Sequence, residues 1–150
     1  MASRLFVIKL FQIKWSLLCD EFTFWEYYNK SMSSVFELEI YKRAFKLAVD
    51  CRAISLRLSQ PDKYEVGSQL RRSSQSVKDN IVEGYGRRRY NKELLKFLTY
   101  SYSSLLEARS QIQFIQAISP NLNIPKSLND QMEILSVMIH NFIRSVEQRK

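Results

Sequence analysis

All three glycines (Gly67, Gly84, Gly86) and all three prolines (Pro61, Pro120, Pro125) of this 150-residue chain fall in three short gaps. Glycine and proline are the strongest local breakers of regular structure, so the intervals between the gaps are free to form long uninterrupted elements. Within those intervals apolar residues recur three and four positions apart, the spacing that lines one face of a 3.6-residue helical turn. No period-two alternation of β-branched residues competes with this pattern over a useful length, and strands are not expected. The punctuation therefore predicts four helices and an all-α fold.

The first helix is predicted from Ser34 to about Ser59. Ser34 can accept from free N-terminal amides while Glu37, three residues on, reciprocates as a capping box. Phe36, Ile40, Ala44, Leu47, Cys51, Ile54 and Leu58 then share one face. The second, about 67 to 84, carries a sparser seam of Leu70, Ser74, Val77, Ile81 and Gly84, whose small members allow close helix approach. The third runs from about Asn91 to Ile118 with Leu94, Leu98, Ser101, Leu105, Ala108, Ile112 and Ile115 in alternating steps of four and three, a coiled-coil-like seam. The fourth, about 126 to 148, repeats that alternation with Leu128, Met132, Leu135, Ile139, Phe142 and Val146.

Short connections between such helices force antiparallel neighbours, which predicts an up-down-up-down four-helix bundle over residues 34–150. A chain of this length is one domain's worth and can bury roughly 70% of its unfolded surface. Leu95, Phe97, Leu106 and Phe114 lie off the principal seam of the third helix and widen its apolar surface, which points to self-association. Residues 1–33 differ from the remainder. The first 31 hold both tryptophans and no heptad seam, and Met32 falls just before the capping box. An upstream start codon that appended this segment is the first reading. The alternative is an amphipathic helix, with Phe6, Leu10, Ile13 and Leu17 opposite Lys9, Gln12 and Ser16, that docks on the bundle or lies on a membrane surface.

The run from Leu5 to Leu18 is interrupted by Lys9, Gln12 and Lys14 and falls short of the roughly 20 residues a spanning helix needs, so a membrane span is not expected. It also lacks the layout of a signal peptide. Cys19 and Cys51 show no ligand spacing, which argues against a disulfide framework or a zinc site and for a reducing, cytoplasmic setting.

A net charge of +8 and an isoelectric point near 9.6 suit a polyanion partner. The charge is focused. Between residues 71 and 96 there are eight cations (Arg71, Arg72, Lys78, Arg87, Arg88, Arg89, Lys92, Lys96) and three anions (Asp79, Glu83, Glu93), a local net of +5. Cations beyond a helix C-terminus bond its free carbonyls and complement the macrodipole, but one suffices. Three arginines in a row past the glycines, followed by Lys92 and Lys96, exceed that need and match phosphates. Arg71 and Arg72, at the other end of the second helix, suit either phosphate binding or an ion pair that orders the bundle, with Glu107 of the third helix or with Glu83. Tyr85, Tyr90, Tyr100 and Tyr102 flank the basic stretch and could stack on unpaired bases, although tyrosines on a bundle helix serve more often in cores and interfaces.

No catalytic constellation accompanies these residues. His140 is the sole histidine. A di-iron bundle needs Glu-x-x-His motifs, and position 137 is valine. Helical ribonucleases of the HEPN type need an arginine separated from a histidine by four to six residues, where this chain has Glu133, Ile134 and Leu135 before His140. Serine-histidine-aspartate chemistry, phosphate-cradling glycine loops and metal-ligand sets are equally missing from the sequence. Neither enzyme activity nor a cofactor is expected.

The runs Gln69-Leu70-Arg71-Arg72-Ser73-Ser74-Gln75-Ser76-Val77, Asn80-Ile81-Val82-Glu83-Gly84-Tyr85-Gly86-Arg87-Arg88, Phe97-Leu98 and Ser104-Leu105-Leu106-Glu107-Ala108 resemble the four-helix bundle proteins encoded within intervening sequences of bacterial 23S rRNA genes. The resemblance spans Phe36 to Val146 and leaves the first 33 residues without a counterpart. It implies a homopentameric barrel. Read from the residues themselves, Gly84 and Gly86 have the structural role of stopping the second helix, and Glu83 and Glu107 that of pairing with Arg71 or Arg72. Relatives include the accessory variability protein of diversity-generating retroelements, which binds nucleic acid and a reverse transcriptase. Lys78 and Asp79 depart from the pattern, since many relatives carry proline and a small residue there, so the second helix is expected to be less kinked.

The sequence thus predicts a non-catalytic, cytoplasmic, self-associating bundle. It would bind RNA or DNA backbone with low sequence specificity through Arg87, Arg88, Arg89, Lys92 and Lys96, with Arg71 and Arg72 as secondary contacts. The alternative is a protein adaptor or scaffold, such as an accessory protein for a reverse transcriptase.

Overall fold

The computed structural model describes residues 34–148. A 3₁₀ turn at Val35–Glu37 precedes four α-helices: α1 (Glu39–Leu56), α2 (Val66–Gly86), α3 (Asn91–Ile118) and α4 (Ser127–Glu147). Among the described residues there is no strand. The expectations for residues 1–33, an appended segment or an amphipathic helix, lie outside the described residues. No described helix is long and apolar enough to cross a membrane.

The third helix has the bounds its periodicity predicts, and all seven of its seam residues are buried. In α2 the five predicted seam residues are buried together with Gly67 and Ser73. In α4 Leu128, Met132, Leu135, Ile139 and Val146 are buried, and Phe142 is half-buried. Each helix packs on two others, α1 on α2, α2 on α3, α3 on α4 and α4 on α1, around one apolar core. A smaller cluster of Leu94, Leu98 and Val146 joins the first two turns of α3 to the last turn of α4. Burying one such leucine contributes about 1.5–3 kcal/mol. The exposed i,i+4 ion pairs of α1, Arg43–Glu39 and Lys46–Asp50, contribute about 0.3–0.5 kcal/mol each. The seams, not the surface charges, hold the bundle together.

The start of α1 differs from expectation. Ser34 and Glu37 do not form its capping box: the helix begins at Glu39, and its N-cap is Leu38, which makes no side-chain cap bond. The cause is the 3₁₀ turn, whose three residues per turn shift the phase of the side chains. Val35 instead of Phe36 enters the core, and Phe36 stays exposed with its ring edge-on to Tyr41 at 5.2 Å. At the other end α1 stops at Leu56, with the Arg57 amide closing onto the Ile54 carbonyl at 3.0 Å. Pro61 lies just beyond and cannot continue a helix. Leu58 still reaches the core from the connection.

The α2–α3 seam is lined by small polar residues whose hydrogen bonds are made inside it. Ser101 Oγ donates to the Val77 carbonyl at 2.8 Å, and Ser104 Oγ lies 3.0 Å from Ser76 Oγ. Buried hydroxyls satisfied in this way avoid the cost of an unmade bond. Between α1 and α2, Cys51 is a free, buried thiol. Burial, with the Asp50 charge beside it, pushes its pKa up to about 12 against the opposing hydrogen bond of Ser74.

Candidate nucleic-acid interface

The expected stop of the second helix at Gly84 is not where the helix ends. α2 continues to Gly86, and neither glycine has a positive φ. Gly84 is buried for a different reason: a Cβ there would lie 3.0 Å from Phe97 Cβ and 3.3 Å from Leu94 Cδ1. The missing side chain lets α2 and α3 approach closely. At Gly86 a Cβ would meet nothing within 4 Å.

Backbone hydrogen bonds turn the chain instead. The Arg87 amide reaches the carbonyls of Glu83 and Gly84, both at 3.1 Å, and the Arg88 amide reaches that of Tyr85 at 3.2 Å. The Tyr90 amide bonds the Arg87 carbonyl at 2.9 Å, and the Tyr90 carbonyl accepts from Leu94 at 3.0 Å. Residues 87–90 form a four-residue connection pinned at both ends.

The three arginines of this connection have different duties. Arg87 donates through Nε and Nη2 to Glu83 Oε1 at 2.7 and 2.6 Å, places Nη1 3.4 Å from Glu93 Oε2, and stacks its guanidinium 5.0 Å from the Phe97 ring centroid. These groups are half exposed, so each ion pair contributes at most about 1 kcal/mol. Their joint effect is to tie the last turn of α2 to the first turn of α3. Arg88 bonds the Tyr85 carbonyl at 3.0 Å and lies 4.1 Å from the Tyr85 ring centroid. Both arginines therefore serve the C-terminus of α2, where free carbonyls and the macrodipole favour cations.

Arg89 and Lys92 are different. Both are exposed, and among the described residues neither side chain makes a hydrogen bond or an ion pair. Lys92 lies in the first turn of α3, where the macrodipole disfavours a cation by about 0.3–1 kcal/mol. Lys96 is held only loosely, its Nζ 3.9 Å from Glu93 Oε1 and 5.8 Å from the Phe97 ring centroid. The three anions of the stretch are all engaged: Asp79 by Lys78, and Glu83 and Glu93 by Arg87. The charge left without a partner among the described residues is carried by Arg89 and Lys92 at the connection and by Arg72 near the other end of α2.

Arg71 and Arg72 are not part of this group. Arg71 is sixteen residues before Arg87 on a nearly continuous helix, about 24 Å away at about 1.5 Å per residue. It does not pair with Glu83 or Glu107. By the same rise Glu83 is about 18 Å distant, and Glu107 is exposed without an ion-pair partner among the described residues. Arg71 Nη1 donates instead to Ser55 Oγ at 3.1 Å and to the Lys63 carbonyl at 3.3 Å, linking α1, the following connection and α2. Arg72 is exposed, with no partner among the described residues.

Of the four tyrosines, Tyr85 and Tyr102 are half-buried against the core, and Tyr100 is exposed with its ring edge-on to Phe97 at 5.9 Å. Tyr90 is 64% exposed. His140 is exposed on α4. Two residues to which the sequence assigns no role at the basic stretch, Glu93 and Phe97, prove to organise the connection. The only hint of them in the sequence is spacing, since Glu93 stands three residues before Lys96 and Phe97 four before Ser101.

The family model of the 23S rRNA-intervening sequence protein matches residues 36–141. The chain belongs to that family. As an intervening-sequence family member it shares with its family the span that holds α1, α2, α3 and most of α4, including the whole basic connection. No curated protein matches the chain in sequence.

Proposed function

We propose that this 23S rRNA-intervening sequence family member is a non-catalytic, cytoplasmic, homo-oligomeric bundle that binds the backbone of RNA or DNA with low sequence specificity. The observation that carries this reading is the pair Arg89 and Lys92: exposed, unpartnered, and in the case of Lys92 set against the helix dipole, so that the fold itself has no use for their charge. Arg88 and Lys96 stand beside them, and Arg87 keeps two carboxylates from opposing an incoming phosphate. Arg72 is a remote secondary contact, and Arg71 a structural residue.

The helices are read as antiparallel, up-down-up-down. Supporting this, the end of α2 meets the start of α3 at Gly84 and Phe97, the end of α4 meets the start of α3 at Val146 and Leu94, and the end of α1 meets the start of α2 at Ser55 and Gly67. Exposed Leu106, Phe114 and Ile118 on α3 and Ile134 and Val137 on α4 support association between copies. Five copies, the assembly the family resemblance implies, would carry +40 in total from +8 each, and avidity would strengthen a modest patch. The same apolar residues favour a second reading, a protein adaptor for a partner such as a reverse transcriptase. Light scattering separates homo-oligomer from monomer.

The test of the leading reading is a salt series with labelled RNA and DNA. The Arg89→Ala/Lys92→Ala variant should bind more weakly, with a slope of log affinity against log salt shallower by about 1.4–1.8 because two fewer phosphates are neutralised. An unchanged affinity and slope would remove the assignment.

A further inference from the structure

The aromatic side chains around the connection are not equivalent. The Tyr85 ring carries Arg88, and the Phe97 ring carries both Arg87 and Lys96. The Tyr90 ring lies between the unpartnered cations Arg89 and Lys92 in the chain, is 64% exposed, and among the described residues has no ring or cation stacked on it.

Its backbone is nevertheless fixed. Tyr90 is the N-cap residue of α3, with φ −114° and ψ 103°, donating to the Arg87 carbonyl and accepting from the Leu94 amide. Serine, threonine, aspartate or asparagine at an N-cap would bond a free helix amide and contribute about 1 kcal/mol. Tyrosine makes no such bond here, and its ring adds nothing to the core. Local stability explains neither the residue type nor its exposure.

We infer that the polyanion taken by this connection is single-stranded, with the Tyr90 ring stacking on an unpaired base while Arg89 and Lys92 hold the flanking phosphates. The inference rests on the nucleic-acid reading above and sharpens it to one substrate class. An unpaired base offers a free face, and stacking on an aromatic side chain tolerates any sequence. In a duplex those faces are already covered by neighbouring base pairs, so the ring would gain nothing there while the cations still met phosphates.

The experiment compares a short fluorescein-labelled single-stranded RNA with the same RNA annealed to its complement, titrated by anisotropy against the full chain. Tyr90→Ala should weaken single-strand binding about five- to hundredfold, with its salt slope and duplex affinity unchanged. Tyr90→Phe, which keeps the ring, should bind as the unsubstituted protein does. Arg89→Ala/Lys92→Ala should weaken both RNAs and flatten the slope. If Tyr90→Ala binds the single strand normally while Arg89→Ala/Lys92→Ala does not, stacking is overturned and the phosphate reading survives. Equal losses on both RNAs from Tyr90→Ala also overturn it, because a stacking ring has no purchase on the duplex. A single-stranded DNA and its duplex are titrated alongside, and if the unsubstituted protein binds none of the four, both readings fall.

Discussion

The two ends of α2 use the same residue type in opposite ways. At its start Arg71 turns inward and uses its guanidinium on neutral acceptors, Ser55 Oγ and the Lys63 carbonyl. Beyond its end Arg87 is held by carboxylates, Arg88 by a carbonyl and a ring, and Arg89 by nothing among the described residues. A run of arginines is therefore not a single feature. Each guanidinium acts according to the acceptors its backbone position puts within reach, and only what remains is available to a partner.

The largest effect on stability should come from Arg71→Ala. Ser55 is fully buried and donates to the Arg52 carbonyl while accepting from Arg71. Losing a charged donor from a buried acceptor should cost about 2 kcal/mol, measured by urea unfolding. Nucleic-acid affinity should stay within about twofold, because Arg71 lies outside the group proposed to meet phosphates; a large loss of affinity with little loss of stability would break the contrast between the two ends.

A smaller effect separates the two glycines at the far end. Gly84→Ala forces a methyl against Phe97 Cβ, an atom fixed to the α3 backbone. It should destabilise by about 1 kcal/mol once the helix propensity of alanine is set against the overpacking. Gly86→Ala meets open space and should stabilise by about 0.4–1 kcal/mol through the unfolded chain. Thermal unfolding of the pair checks both signs, and a Gly84→Ala variant that is stabilised as well would show that α3 yields at the Phe97 contact.

The smallest effect on stability is the sharpest in meaning. Lys92→Ala removes a cation from the positive end of the α3 dipole and should leave the fold unchanged or more stable by about 0.3 kcal/mol. The same variant should still lose nucleic-acid affinity and salt slope. Opposite changes in stability and binding would mark Lys92 as a residue kept for a partner; a loss of stability would show that it has work inside the fold.

Much of the architecture was legible because burial follows periodicity. The seams of α2 and α3 are buried as their spacing required, and those of α1 and α4 depart from it only at Phe36 and Phe142. The exception at Phe36 arose because a 3₁₀ turn changes the phase of side chains without changing the residues that prompt the reading. The stop at Gly84 was misplaced because glycine in a sequence signals either freedom of the backbone or closeness of a neighbour, and Phe97 and Leu94 approach it from a different helix. At the connection the charge was legible, but its division was not. Arg87, Arg88 and Arg89 are chemically identical, and only the position of Glu93, Phe97 and the last carbonyls of α2 distinguishes them.

The connection between α2 and α3 already has its main chain bonded at Arg87, Arg88 and Tyr90 before any partner arrives. An incoming strand would need to freeze only a few flexible side chains, not organise a loop, so little ordering entropy opposes capture. Encounter should then be governed by long-range attraction, with an association rate that climbs steeply as ionic strength falls and no slow rearrangement after contact.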